Sequence, residues 1–188
     1  MKETVKKIVS LGNLPRTGWL LRGVPPSIAE TVAEHSFLVA ILALFMGRAL
    51  IRDGLHINLD KVLTLALIHD IPEAIEGDII KWVKDRVPSI DKLDLVALEE
   101  LGLNEFSEEL KELNELRTIE AVLIKLSDNL ATYIQGLRYD DLGYRDVRDI
   151  IDGCLKAIND YIKLLPKNYA EVIHKVVDTI LRSVGSKL

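Results

Sequence analysis

Four residues, far apart in the chain, carry nitrogen and oxygen donors into apolar surroundings: His35 in AEHSFLVA, the adjacent pair His69 and Asp70 closing TLALIHD, and Asp128 in IEAVLIKLSDNLATYI. Burying a carboxylate is costly unless it is paired or bound to a cation. A metal ion supplies that compensation, and two imidazoles with two carboxylates form a donor set suited to borderline divalent ions. Each residue alone is weak ground. A single core histidine is more often a hydrogen-bonded structural residue, an Asp before Asn in a helix is usually solvated, and His-Asp dipeptides arise by chance. The weight comes from finding all four on separate apolar elements.

The elements that must position them are helices. Helical periodicity runs almost throughout and no stretch shows the sustained alternation of a sheet, so the expected fold class is all-α. Thr31 and Glu34 have capping-box spacing and apolar residues follow at once, which predicts a long helix from Val32 to about Arg52 with His35 in its first turn. Asn58 can cap the next helix, LDKVLTLALIHD, which Pro72 and Gly77 loosen or end, so His69 and Asp70 fall at its C-terminal end. A strong helix over 117–139 contains Asp128, with Ala121, Ile124 and Ala131 on the same side. Further helices are expected near 2–11, over 79–86 before Pro88, from a Ser89 cap through Leu101, from Ser107 onward, and over 144–164 and 169–184. The segment LGNLPRTGWLLRGVPPS carries Pro15, Gly18, Gly23, Pro25 and Pro26 and cannot be regular helix; it is the main ordered-loop candidate.

The length of 188 residues fits one domain with a single sizeable core, and 48% hydrophobic beside 28% charged residues describes a soluble globular chain. The longest uncharged apolar run, Phe37 to Met46, falls far short of the roughly 20 residues of a membrane span and reads as a buried helix. MKETVKKIVSLGNL offers no continuous apolar export signal, and Cys154 stands alone, so a reducing, cytoplasmic setting is expected and no membrane association. A net charge of −5 gives no general attraction for a nucleic-acid polymer, though local charges in a cleft can still accept a small anion.

The blocks RTGWLLRGV at 16–24, AEHSFLVA at 33–40, LALIHDIPEAIEGDI at 65–79 and KLSDNL at 125–130 together resemble the HD-domain superfamily of metal-dependent phosphohydrolases, and within it the 5′-deoxynucleotidase branch. The resemblance implies a compact HD-domain helical bundle spanning 1–188, with a catalytic core over about 16–139 that the C-terminal helices complete. It implies that His35, His69, Asp70 and Asp128 hold one divalent transition metal. That donor set suits Co, Mn, Fe, Ni or Zn better than Mg. Glu73 and Asp78 match the family's catalytic acids; Glu73 lies four residues after His69 on the same helical face, and Gly77 allows a turn that delivers Asp78. A homodimer is also implied. Other branches fit less well: Glu73 is followed by Ala74 rather than Asp, IPEAIEGD contains no histidine, and a Gly-Tyr-Pro signature is absent.

Arg16 and Arg22 stand just before the first ligand helix and can make charge-assisted contacts to phosphate. Trp19 can face sugar or base, or anchor its loop; Lys125 can reach phosphate, or remain a solvated helix lysine. His56 and His174 match no family position and are assigned to structure or solvent, and Trp82 to the core or a subunit contact. The expected activity is removal of the 5′-phosphate of (deoxy)nucleoside monophosphates by a water that the ion acidifies. The alternatives are hydrolysis of another small phosphate ester or nucleotide, or a non-catalytic metal-bound nucleotide sensor, against which Glu73 and Asp78 argue.

Overall fold

The computed structural model describes residues 1–87 and 89–185, with the side chain of Asp91 outside that description, as is the expected break at Pro88. The helices are α1 (Lys2–Ser10), α2 (Thr17–Leu20), α3 (Val32–Arg52), α4 (Leu59–Ile68), α5 (Glu73–Glu76), α6 (Lys81–Lys84), α7 (Asp91–Leu101), α8 (Ser107–Asn114), α9 (Ile119–Asp141), α10 (Arg148–Leu164) and α11 (Lys167–Ser183). Among the described residues the sole β-pairing is an isolated bridge between Pro15 and Thr31. The all-α expectation holds.

Two long helices organise the interior. The start of α3 is fixed by the expected capping box: Glu34 N–H donates to Thr31 Oγ1 at 3.2 Å, and Thr31 N–H donates to Glu34 Oε2 at 2.7 Å. By length and composition α3 could cross a membrane, yet α4, α9 and α11 pack on it and Val32, Val39, Ala43, Met46 and Leu50 are wholly enclosed. It is a core helix on one face only: within the run expected to be buried, Phe37 and Phe45 point outward, 68% and 53% exposed. α9, capped by Thr118 through a 3.2 Å bond from Ala121 N–H, packs against α3, α4 and α10 and buries side chains along most of its length. At Gly136 a Cβ would come within 2.7 Å of Ile151 Cγ1, so this glycine lets α10 lie close against α9.

Asn58 caps α4 as expected, accepting from Lys61 N–H at 3.1 Å. The helix nevertheless stops at Ile68, and the chain continues through turns to Glu73. Pro72 has no N–H to donate and disfavours helical geometry at Ile71, so the regular ladder cannot run on. His69 and Asp70 therefore stand just beyond α4. Gly77 turns the chain with φ +76°, as expected of it. In the supposed loop, Thr17–Leu20 still completes one helical turn, since Pro15 precedes it and Gly18 tolerates it. Ser89 does not cap α7; Ile90 precedes its first residue. Trp82 is in no core: it is 61% exposed with the Arg86 guanidinium 4.3 Å over its ring.

Candidate metal centre and active site

Three separate stretches bring the donors together. His35 comes from the first turn of α3, His69 and Asp70 from the turn after α4, and Asp128 from the middle of α9. One donor atom each from His35, His69 and Asp70 lies within 4.8 Å of the other two. Asp128 joins through its Oδ1, 3.0 Å from His35 Nε2, which is also 3.8 Å from Asp70 Oδ2. His69 Nδ1 lies 2.8 Å from the Ala66 carbonyl oxygen. A carbonyl only accepts, so Nδ1 bears the proton and Nε2 is left with its lone pair free. That Nε2 is buried, forms no hydrogen bond, and stands 3.1 Å from Asp70 Oδ2. Orphaned nitrogen and crowded carboxylates fit a divalent ion, which would satisfy both at once.

The electrostatics favour a cation. Burial works against a charged His69, but Asp70 beside it and Asp128 beyond outweigh burial and raise its pKa. Burial likewise disfavours ionised Asp70, yet His69, then His35 and Arg16, hold it well below the usual carboxylate range. Asp128 is also held low against burial, by His35 first and then Arg16.

Glu73 opens α5 and is 6% exposed. Burial, reinforced by Asp70 and Asp78, pushes its carboxyl up to about 9, against the pull of Lys84 and Arg16. Its Oε2 is buried without a hydrogen bond, and Lys84 Nζ lies 3.6 Å from Oε1. Asp78 is tied to the start of α2: Thr17 N–H donates to its Oδ2, and Thr17 Oγ1 donates to its carbonyl oxygen at 3.0 Å. Arg16, immediately before Thr17, turns its guanidinium inward toward Asp70, Asp128, Glu30 and Asp78, and their charges raise its pKa despite burial. One of its nitrogens, Nη1, is buried with no partner. An unpaired guanidinium donor beside a cluster of cation ligands suits an anionic oxygen.

Over residues 8–163 the sequence matches the HD domain family. The chain belongs to this family. It is similar to the 5′-deoxynucleotidase HDDC2 of Homo sapiens, 30% identical over 90% of this chain and 84% of that protein. The 5′-deoxynucleotidase HDDC2 of Danio rerio is 32% identical over 76% of this chain and 70% of its own. Among solved structures, a Pyrococcus horikoshii protein is 32% identical and superposes with a TM-score of 0.80 over 98% of each chain. A conserved hypothetical protein from Pyrococcus furiosus reaches a TM-score of 0.84 at 28% identity, over 97% of this chain and 99% of that one.

Not every expected contact reaches the centre of this HD domain. Arg22, paired with Arg16 in the sequence reading, turns away and grips Asp149 of α10, with Nη2 to Oδ2 at 2.6 Å and Nε to Oδ1 at 3.2 Å. Trp19 is 1% exposed, its indole N–H donating to Glu30 Oε1 at 2.8 Å and its ring packed edge-on to Tyr139. It anchors the loop rather than forming an open wall. Lys125 lies one turn before Asp128, half-buried, with no ion pair of its own among the described residues. His56 and His174 are exposed, and Cys154 is buried, its thiol pushed up to about 12 by that burial.

Three residues of the HD domain site escaped the sequence reading. Lys84 approaches Glu73 from α6, Thr17 holds Asp78, and Glu30 stands behind His35. No local pattern signals the first two, because their partners are 11 and 61 residues away. Glu30 did carry a signal: it immediately precedes the capping residue Thr31.

Proposed function

We propose that this HD domain removes the 5′-phosphate from nucleoside monophosphates, preferring the deoxy form, as a metal-dependent phosphoric monoester hydrolase. The observation that carries the reading is the placement of Arg16 Nη1, a buried donor without a partner, beside the converging donors of His35, His69 and Asp70. The names of the relatives, 5′-deoxynucleotidases at about 30% identity, support the substrate class. His35, His69, Asp70 and Asp128 would hold one divalent ion, with Co, Mn, Fe, Ni or Zn favoured over Mg by two imidazole donors. Such an ion acidifies water and polarises a phosphoryl oxygen.

The chain's own residues do the rest. Arg16 binds the equatorial phosphoryl oxygens and neutralises charge as it develops there. Glu73 and Asp78 move the protons, one taken from the attacking water and one given to the departing nucleoside oxygen. Thr17 keeps the Asp78 carboxylate aimed, and Lys84 keeps Glu73 in place. One arginine and one ion match a terminal monophosphate, and no Gly-rich loop is available to cradle a triphosphate. We place the chain in the cytoplasm, as a single HD-type unit acting as a homodimer; the buried lone thiol and exposed apolar side chains such as Phe37, Phe45 and Leu67 support this.

The test is incubation of metal-reconstituted protein with dAMP, AMP, dATP and a cyclic nucleotide, with products separated by chromatography. Release of phosphate from dAMP, faster than from AMP, is expected. Tripolyphosphate from dATP, ring opening as the main reaction, or faster AMP hydrolysis would overturn the assignment. Inactivity toward all four with metal bound would favour another phosphate ester or a sensing role.

A further inference from the structure

His35 is wholly enclosed, yet its Nδ1 makes no hydrogen bond. Its Nε2 shares a hydrogen bond with Asp128 Oδ1 at 3.0 Å, which puts the proton on that nitrogen as long as no cation takes its lone pair, and Asp70 Oδ2 lies 3.8 Å away. On its Nδ1 side stands Glu30, with Oε1 3.9 Å away, so a cation on Nε2 would send the proton to the nitrogen facing Glu30. Glu30 is itself 7% exposed. An ionised carboxylate offers about four acceptor positions, and the Trp19 indole N–H fills one of them at 2.8 Å. Its main chain is held at both ends. The Glu30 N–H donates to Tyr139 Oη at 2.7 Å, that hydroxyl donates to the Ile28 carbonyl at 3.0 Å, and Arg16 N–H donates to the Glu30 carbonyl at 2.9 Å.

The sequence explains why the two side chains meet. Thr31 is the N-cap of α3, so Glu30 occupies the position before the cap and His35 the fourth helical position. Those two positions face each other at a helix start, where apolar residues commonly close a hydrophobic staple. Here an acid and an imidazole stand in the staple's place.

We propose that Glu30 is a positioning residue for His35: its carboxylate receives the Nδ1–H and so fixes the ring with Nε2 turned to the metal. The inference rests on reading His35 as a metal ligand. Metal-bound histidines almost always give their second N–H to a carboxylate or a backbone carbonyl. His69 has such a partner in Ala66, whereas the carbonyl of Thr31, one turn before His35, already accepts the His35 main-chain N–H at 3.0 Å. Glu30 Oε1, 3.9 Å from Nδ1, is the carboxylate oxygen placed on that side of the ring. Trp19 completes the device by donating to Oε1, the same oxygen that stands 3.9 Å from His35 Nδ1, which gives this buried indole a role at the centre without touching it.

Glu30→Gln keeps the size of the side chain and an oxygen for the Trp19 N–H while removing the anion. Titrated with manganese by calorimetry after demetallation, this variant should bind roughly 10–100-fold more weakly than wild type. Its cobalt-loaded form should show shifted visible absorption bands, a change that loss of packing elsewhere would not produce. Wild-type protein loaded with zinc provides a measurement that needs no variant: long-range 1H–15N spectra should show the proton on His35 Nδ1, protected from exchange, and the metal on Nε2. Manganese affinity within about twofold of wild type together with unchanged cobalt bands, or zinc bound through Nδ1, overturns the inference. His35→Ala separates the two failures. If it retains wild-type manganese affinity, the ligand reading falls and the Glu30 role with it; if it loses the metal while Glu30→Gln does not, the positioning role alone falls.

Discussion

His69 directs its Nδ1 at the carbonyl oxygen of Ala66, 2.8 Å away and three residues earlier in the chain. The backbone has in this way selected the tautomer with a bare Nε2 before any ligand arrives, and Asp70 next to it supplies the neighbouring oxygen. If these residues hold the metal as proposed, preselection of this kind would tie its affinity to named donors.

Replacing His35, His69 or Asp128 with Ala is expected to weaken manganese binding by more than about 100-fold, beyond the range seen for residues that only support a ligand. His56→Ala, at an exposed position, should leave binding nearly unchanged. Calorimetric titration of the demetallated variants measures this. Retention of the metal by His35→Ala and its loss from His56→Ala would reverse the assignment.

Glu73→Gln and Asp78→Asn should keep the fold and most of the metal but lower single-turnover rates by roughly 10²–10⁴. Glu73 also has a signature in stability. In demetallated protein its carboxyl, pushed up to about 9 by burial and by Asp70 and Asp78 against Lys84 and Arg16, keeps a proton that the unfolded chain releases above its ordinary value of 4.5. The native state binds more protons across that window, so its stability falls as pH rises from about 4.5 to about 9. Thermal melts in chelator should show this decline flattened in Glu73→Gln. An unchanged slope would place its source in another group.

Arg16→Ala should lower kcat/KM by roughly 10²–10³, the scale of losing one donor aimed at developing charge. Arg22→Ala removes an exposed pair with Asp149 and should cost at most about 1 kcal/mol of stability, leaving kcat/KM near wild type. Steady-state kinetics of the two variants side by side decide between the arginines; an equal loss in both would mean that Arg22 leaves Asp149 for the substrate.

Gly136→Ala should destabilise the protein by about 1–3 kcal/mol, since the new methyl meets Ile151 at 2.7 Å. At about 2–4 °C per kcal/mol for a chain of this size, thermal melts will resolve the shift. An unchanged Tm would show that Ile151 finds another rotamer at no cost.

What could be read in the sequence were features that local chemistry fixes. Thr31 with Glu34 set the start of α3, Asn58 set that of α4, and the polar residues His35, His69, Asp70 and Asp128 betrayed themselves by interrupting apolar faces. What could not be read were pairings across the fold. Arg22 and Asp149 are 127 residues apart, and nothing near Arg22 shows that its charge is already engaged. The inward turn of Trp19 likewise depends on Glu30 and Tyr139 being brought beneath it. The end of α4 was misplaced by two residues because nothing in His69 or Asp70 itself stops a helix; the break comes from Pro72, which has no N–H to give the Ile68 carbonyl four residues back.

That early end of α4 means that His69 and Asp70 sit where the helix's last carbonyls point. Peptide dipoles aligned along a helix leave the equivalent of roughly half a negative charge at its C-terminal end. Ala66, whose carbonyl grips His69, is one of those terminal groups. The peptide bonds of α4 thus add their own negative potential at the point where the donors converge. No side chain bears this contribution, so replacing side chains one by one would leave it intact, and it would go undetected in a mutational scan of the site.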